Sequence, residues 1–379
     1  MSLDNYVDIT ENKSKYSPDE IVSVCKRINN PKRDFVFVNN FQGKHIPQKP
    51  SMIFEIYEEL RKDLADGLNP DENVAIVGFA ETATAIGNYM ASTIENCVYY
   101  TQTTRESFPN IKPLISFEEE HSHATSQKLY GDINQLIKCD RIIFVEDEIS
   151  TGRTILNFIK EFDKLKLNLK YSVASLLNWQ NDEWTAIFDK NHIRTYYVLR
   201  GILKNLDMKV KANTQAEIQY ESYMKKVTYS KGKHFANPRL GIVPHFENEY
   251  LFNEHQFLLN KCEGQRKEVL VIGTEEYMFI PMLFAKRLED ANPNASVYFH
   301  ATTRSPIETS PDESYSLKER YQLRSAYDKK RTTYIYNLKH YDKVFIITDT
   351  EPTKEFIQDI VGALVKNNCN IEDIEVIQQ

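Results

Sequence analysis

The sequence has few of the features that mark secreted, metal-binding or membrane proteins. Its five cysteines are scattered and none forms a CxxC pair, which argues for a reducing compartment and against a disulfide scaffold or a zinc ribbon. The first residues have neither a basic region nor an apolar core, so we expect no signal peptide. Since no run of about 18 apolar residues exists, we expect no membrane span. These absences predict a soluble, cytoplasmic protein.

Three further absences narrow the class of function. The net charge of −7 is spread along the chain and no sustained Lys/Arg stripe occurs, so we expect small-molecule partners and no nucleic acid. The lysine-bearing phosphate loop GxxxxGK[ST] is missing, which disfavours an ATPase. No cysteine stands in a turn-rich nucleophile context, which disfavours a cysteine hydrolase.

What the sequence does contain is a pattern that occurs twice. Residues 73–105 and 268–304 each run from a short apolar segment through Gly and Glu and a helical stretch to a second apolar segment ending in Thr-Thr-Arg. Residues 140–162 and 342–364 each give an apolar run, an acidic residue, a loop and a helix. Two matches in the same order predict two domains related by duplication.

Four apolar runs within these repeats indicate the fold class. They are short, rich in Val and Ile and without polar alternation, as strands buried on both faces of a parallel sheet are. A helix-like segment follows each, which predicts βαβ units and two parallel-sheet, Rossmann-like α/β domains. In such sheets ligands lie beyond the carboxyl ends of the strands. The runs are residues 74–77, 142–145, 269–272 and 344–347.

The run 142–154 combines two kinds of binding chemistry. A buried strand is expected to end at Val145, and a helix to span 155–162. Between them, backbone N–H groups, hydroxyls and the positive end of a helix dipole suit a phosphate monoester. Glu146 and Asp147 cannot hold that anion, but they can accept hydrogen bonds from two neighbouring sugar hydroxyls. The expected phosphate ligands are Ser150, Thr151, Gly152 (which lets the backbone curl), Arg153 and Thr154.

This string resembles the 5-phosphoribosyl 1-pyrophosphate (PRPP) motif of type I phosphoribosyltransferases. Further segments are similar to two-domain proteins of tellurium-resistance-associated biosynthetic gene clusters, in which an orotate-phosphoribosyltransferase-like domain precedes a TRSP domain. Ser150, where purine-salvage enzymes have Asp, is nearer the orotate pattern. The segments that carry this resemblance are 33–47, 78–87, 103–105, 119–125 and Thr303-Arg304-Ser305-Pro306.

The resemblance implies a domain order and an activity. It implies a phosphoribosyltransferase domain with an N-terminal hood at 1–205, a connector at 206–264 and a degenerate TRSP domain at 265–379. The activity would be phosphoribosyl transfer between PRPP and an unknown, base-like acceptor. Mg²⁺ would be held mainly by substrate oxygens, with Asp147 the candidate protein ligand. A non-catalytic PRPP- or nucleotide-sensing regulator is the alternative, and a homodimer is left open.

Roles follow from the resemblance for residues outside the PRPP string. Arg105 would bind pyrophosphate at the start of a mobile loop reaching to Gly131. His121 or His123 in that loop would touch substrate, although a metal site and a solvated acidic loop are both open for this segment. Lys44 and His45 of a hood hairpin at 35–47 would face the acceptor; a plain surface hairpin is the alternative. The pyrophosphate loop would comprise Gly78, Phe79, Ala80, Glu81 and Thr82.

Two features of the sequence depart from the pattern that the resemblance to type I phosphoribosyltransferases implies. Glu81 is an odd residue beside a pyrophosphate unless it touches Mg²⁺ or a water. In the second half, residues 348–354 keep the acid Asp349 but lose the glycine, so we do not expect PRPP to bind there. Three roles remain open for that half: another ligand, an anion held by Arg304, or support of the fold.

Overall fold

The computed structural model describes residues 2–28, 34–117, 127–204, 217–223, 227–231, 236–244 and 267–379. His121 and His123 lie outside these residues. The strands are β1 (Val7–Asn12), β2 (Val22–Lys26), β3 (Phe35–Asn39), β4 (Val74–Gly78), β5 (Cys97–Thr104), β6 (Ile115–Phe117), β7 (Gln127–Leu129), β8 (Arg141–Ile149), β9 (Lys170–Asn178), β10 (Arg194–Leu203), β11 (Thr228–Lys231), β12 (Glu268–Gly273), β13 (Ser296–Ala301), β14 (Arg320–Arg324), β15 (Thr332–Tyr336), β16 (Lys343–Thr348) and β17 (Ile374–Gln378).

Helices cover the faces of the sheets that these strands form. The longest has a proline at its first position and apolar residues spaced three or four apart along one buried face, as an amphipathic helix requires. The helices are α1 (Pro18–Ile21), α2 (Pro50–Gly67), α3 (Thr84–Thr93), α4 (Ile133–Leu136), α5 (Arg153–Asp163), α6 (Asp182–Lys190), α7 (Phe279–Ala291) and α8 (Lys354–Lys366).

The first half forms an eight-stranded sheet in the order β1-β10-β9-β8-β4-β5-β7-β6. Strands β10, β9, β8, β4 and β5 are parallel, and antiparallel strands close both edges. The sequence prediction ended the PRPP-motif strand at Val145, which is wrong. Strand β8 continues through the acids to Ile149 because β9 goes on pairing with it as far as Asn178.

The second half forms a five-stranded sheet in the order β11-β17-β16-β12-β13, and every pairing in it is parallel. The apolar runs at 269–272 and 344–347 lie in its central strands β12 and β16, fully buried as expected. Two small antiparallel pairs, β2–β3 and β14–β15, complete the described strands. The architecture is therefore α/β with parallel-rich sheets.

Two local expectations need correction. Residues 35–47 do not form a hairpin by themselves: β3 pairs with the preceding β2, whose apolar residues share its buried face, and turns follow. The loop predicted from Arg105 to Gly131 contains strands, because β6 pairs with β7 and β7 with β5. Residues 217–223, which lie in the predicted connector, are extended and bond to the second half: Ile218 N–H donates to Arg320 O.

The two halves share one continuous apolar core. Helix α7 of the second half contacts α2 and α3 of the first, and Phe284 and Phe299 belong to the same buried cluster as Ile53 and Ile86. The segment 236–244 touches both sheets: Ile242 exchanges backbone hydrogen bonds with Tyr100 of β5, while the Arg239 side chain enters the second half. Within the described ranges, no helix is both long and apolar enough to cross a bilayer.

Candidate functional site

A cavity of about 680 Å³ lies at the carboxyl ends of β4, β5 and β8. Its walls come from both halves of the chain. The first half supplies the hood, the loop after β4 and the acidic end of β8, and the second half supplies the loop after β13. The lining residues that carry the argument below are Arg27, Gln42, His45, Glu81, Thr82, Arg105, Glu146, Asp147, Glu148, Ser150, Thr154 and Thr303–Pro306.

The acidic end of β8 faces this cavity. Glu146, Asp147 and Glu148 all line it and are half-buried. Thr82 Oγ1 donates to Asp147 Oδ1 at 2.8 Å, and the Gln42 side chain donates to the Thr82 carbonyl at 2.9 Å. Burial, helped by the charge of Glu148, raises the pKa of Asp147 from 3.8 to about 6. Glu146 and Asp147, the acid pair predicted to bind a sugar diol, therefore face a cavity, and Thr82 positions the Asp147 carboxyl.

This raised pKa predicts a pH-dependent effect of Asp147→Asn on stability. The carboxyl is harder to ionise when folded, so ionisation lowers the free energy of unfolding as pH rises from about 4 through about 6. Asparagine removes that cost and still accepts from Thr82. We expect the variant to be more stable by about 1–3 kcal/mol near pH 7.5 and equal to wild type near pH 3.5.

Denaturant titrations of both proteins across this pH range measure the difference. The exposed Asp163→Asn on α5 is the matched control and should show no such trend. A difference between Asp147→Asn and wild type that stayed constant with pH would contradict the environment described for Asp147.

The predicted phosphate loop follows the acids and opens α5. Gly152 has a φ of 70°, and a Cβ there would lie 2.3 Å from Phe188 Cζ, so the position requires glycine on both counts. Thr151 Oγ1 accepts from Arg153 N–H at 3.3 Å, and Ser150 and Thr154 line the cavity. The Arg153 side chain is exposed, with its guanidinium 5.3 Å from the ring centroid of Trp184.

In the predicted pyrophosphate loop, Gly78 and Phe79 pack in the core, whereas Ala80, Glu81 and Thr82 line the cavity. A Cβ on Gly78 would be 2.9 Å from the Tyr100 hydroxyl, and the Phe79 ring is buried against Phe144 and Phe158. Ala80 lines the cavity and its N–H donates to Thr103 Oγ1 at 2.8 Å. Glu81, whose charge was unexpected here, lies 2.5 Å from Lys44 Nζ. Its carboxylate is thus neutralised by the protein.

The two hood residues predicted to meet the acceptor have different surroundings. Lys44 is fully buried, pairs with Glu81 and donates to the Glu275 carbonyl at 2.5 Å, so it joins the two halves. Burial lowers its pKa against the opposing effect of Glu81. His45 lines the cavity, is 6% exposed, and has no hydrogen-bond partner at either ring nitrogen among the described residues. Burial, Lys44 and His300 lower its pKa to about 3, so the imidazole is neutral.

Arg105 lines the cavity beside the predicted pyrophosphate loop. Its N–H donates to Glu276 Oε1 at 3.2 Å, whereas its buried Nε has no hydrogen-bond partner in the described part of the chain. A guanidinium in this position suits an anionic ligand.

The corresponding edge of the second sheet is filled by side chains of the protein. Asp349 pairs with Arg239 and accepts from the Tyr327 hydroxyl at 2.6 Å. Arg239 Nε lies 2.8 Å from Glu276 Oε2, and despite burial Arg239 and Arg304 keep the pKa of Glu276 below its ordinary value. Sequence reasoning missed Arg239, although it lies in the basic, Gly- and Pro-rich connector. Arg304, by contrast, lines the cavity of the first half.

The described residues contain no cluster of three or more His, Cys, Asp or Glu side chains arranged to hold a metal ion.

Family comparison gives two matches. Residues 21–199 match the family described as phosphoribosyl transferase (PRTase_2), and residues 239–364 match the TRSP domain that lies C-terminal to it. No curated protein matches the sequence.

Similar solved structures include three adenine phosphoribosyltransferases. The one from Trypanosoma brucei, in complex with AMP, pyrophosphate and ribose 5-phosphate, is 15% identical with a TM-score of 0.35, covering 51% of this chain and 86% of that chain. The one from Rhodothermus marinus is 14% identical with a TM-score of 0.33, covering 48% and 94%. The one from Giardia lamblia, with 9-deazaadenine, is 11% identical with a TM-score of 0.34, covering 48% and 93%.

Proposed function

We propose that this chain, in which a phosphoribosyl transferase domain is followed by a TRSP domain, transfers a phosphoribosyl group between PRPP and a base-like acceptor in the cavity at the carboxyl ends of β4, β5 and β8. The observation that carries the proposal is that Glu146, Asp147, Ser150 and Thr154 line the same cavity as Arg105. A diol, a phosphate and a pyrophosphate can then be bound together.

Each part of the substrate has a matching group. Glu146 and Asp147 accept from the two ribose hydroxyls, while the Ser150–Thr154 loop and the first turn of α5 bind the 5′-phosphate. The Gly78–Thr82 loop and Arg105 receive the pyrophosphate. The transition state resembles an oxocarbenium ion, so the protein contributes positioning and charge neutralisation at the leaving group.

Mg²⁺ fits this donor set as a substrate-held ion. Asp147 would be its protein ligand, since the half-buried carboxylate with a raised pKa gains from a nearby cation. When bound, the ion neutralises charge on the pyrophosphate.

The acceptor would bind between the hood and the loop after β13. His45 is neutral there and offers one donor and one acceptor nitrogen to an uncharged polar edge. Phe37 and Pro306 add apolar surface to the same cavity. These features suit a planar, nitrogen-containing heterocycle as the nucleophile.

We also propose that the two halves arose by duplication. Strands β9-β8-β4-β5 and β17-β16-β12-β13 have the same order and direction. Gly78 pairs with Val145 and Gln102, and Gly273 pairs with Ile347 and Ala301. These registers make Asp147 equivalent to Asp349 and Arg105 equivalent to Arg304. We propose domain limits at 1–205 and 265–379, joined by a connector at 206–264.

Calorimetry of the full-length protein with ribose 5-phosphate and with PRPP, each with and without Mg²⁺, tests the proposal. We expect ribose 5-phosphate to bind in both conditions and PRPP to bind more tightly when Mg²⁺ is present. If neither ribose 5-phosphate nor PRPP bound, a phosphoribosyl site would be excluded. Tight PRPP binding without pyrophosphate release, across a panel of heterocyclic acceptors, would favour the sensing role instead.

A further inference from the structure

The Thr303–Pro306 loop of the second half is a wall of the first half's cavity. The loop is fixed to β15 of the second half, because Thr303 and Tyr334 exchange backbone hydrogen bonds and the Tyr336 hydroxyl donates to the Ser305 carbonyl. Just beyond it, Glu308 N–H donates to Lys26 O at the end of β2. The second half therefore presents this loop to the cavity in a defined position.

The carboxyl edges of the two sheets meet through reciprocal contacts. Arg105 N–H donates to Glu276 Oε1 at 3.2 Å, and Arg304 N–H donates to Glu81 Oε2 at 3.4 Å. Arg105 and Arg304 hold equivalent register positions, as do Glu81 and Glu276, each three residues after its strand-end glycine. The packing is thus approximately twofold, so the arginine at each sheet edge contacts a glutamate of the other edge. Only the first edge retains the glycine-containing phosphate loop.

The side chain of Arg304 is held by carboxylates that leave one nitrogen available. Nε lies 2.5 Å from Glu275 Oε2 and Nη2 lies 2.7 Å from Glu106 Oε1. Glu106 and Glu275 also pair with Arg331, and Glu81 with Lys44, so these acids are shared between cations. Within the described residues, Nη1 of Arg304 has no hydrogen-bond partner. Arg304 is 12% exposed, and that exposed part borders the cavity.

We propose that Arg304 crosses from the TRSP domain to bind the pyrophosphate of PRPP in the phosphoribosyltransferase domain, together with Arg105. The inference rests on the proposed function and gives the second domain a role in the same site. Glu81 touches Arg304 from within the pyrophosphate loop, and Glu106 follows Arg105 directly, so both arginines flank one anion position. A guanidinium fixed at two nitrogens is preorganised for the leaving group. The carboxylate of Glu81 then serves to hold Lys44 and Arg304.

Affinities of Arg304→Gln and Arg304→Lys in the full-length protein test this role. Pyrophosphate and PRPP contact the proposed position, whereas ribose 5-phosphate does not. With Mg²⁺ present, we expect Arg304→Gln to weaken PRPP and pyrophosphate binding by about 10- to 100-fold and ribose 5-phosphate binding by less than about twofold. Arg304→Lys, which keeps the charge and loses the fork, should show an intermediate loss for the same two ligands.

Arg324→Gln is the matched control, since Arg324 also pairs with a carboxylate of the second half, Asp359, at 2.6 Å but outside the cavity. It should leave all three affinities unchanged. Unchanged PRPP affinity in Arg304→Gln, or an equal loss for ribose 5-phosphate, would overturn the inference and leave Arg304 an interdomain contact. If Arg304→Gln does not fold, the ligand selectivity of Arg304→Lys decides. Failure of the wild type to bind ribose 5-phosphate would instead contradict the proposed function.

Discussion

Replacing Asp147 with asparagine should weaken ribose 5-phosphate binding by about 10- to 100-fold. A charged acceptor is worth roughly 1.5–3 kcal/mol in a hydrogen bond, and asparagine would offer a ribose hydroxyl a neutral oxygen instead. Thr82 Oγ1 can still donate to the substituted side chain, so the loop after β4 should keep its position. Isothermal titration near neutral pH gives the affinities directly.

The same substitution should stabilise the free protein near neutral pH, because it removes a carboxylate whose pKa burial and Glu148 raise to about 6. Opposite effects on binding and stability separate a ligand contact from damage to the fold. Asp163→Asn, on the exposed face of α5, is the control and should change neither quantity. If Asp147→Asn bound ribose 5-phosphate as wild type does, the assignment of the acid pair to the ribose would be wrong.

Replacing Arg239 with methionine should lower the free energy of unfolding by about 3–5 kcal/mol. Arg239 is 2% exposed and pairs with Glu276 and Asp349, while its Nη2 donates to the Tyr327 hydroxyl at 3.2 Å. Methionine retains much of the apolar length but leaves two acids without their main cation. The cost of uncompensated buried charge then falls on the folded state. Thermal and denaturant unfolding, compared by two probes, measure the loss.

Arg324→Met provides the matched comparison, because the Arg324 side chain is 41% exposed in its pair with Asp359. Arg324→Met should lower the free energy of unfolding by less than about 1 kcal/mol. Adding Asp349→Asn to Arg239→Met should recover part of the stability, since one of the abandoned charges is then removed. If Arg239→Met lowered the free energy of unfolding no more than Arg324→Met does, Arg239 would not be the cation that neutralises Glu276 and Asp349.

Local sequence was sufficient to locate the central parallel strands and the glycine turn that opens α5. The Val- and Ile-rich runs at 74–77 and 142–145 can be buried only as inner strands, and Gly152 supplies the one backbone conformation that the turn into α5 requires. The adjacency of Glu146 and Asp147 to that turn is a property of the chain itself. These parts of the site depend on residues close together in the chain, so they can be predicted from composition and spacing.

Tertiary structure alone decided the surroundings of Lys44, Arg239 and Arg304. Lys44 meets the Glu275 carbonyl 231 residues away, and Arg304 meets Glu81 across 223 residues. Charged side chains of this length reach several carboxylates, and burial selects the pairing that leaves least charge uncompensated. Because that choice depends on how the two sheet edges pack together, no local pattern could show that the second half enters the cavity of the first.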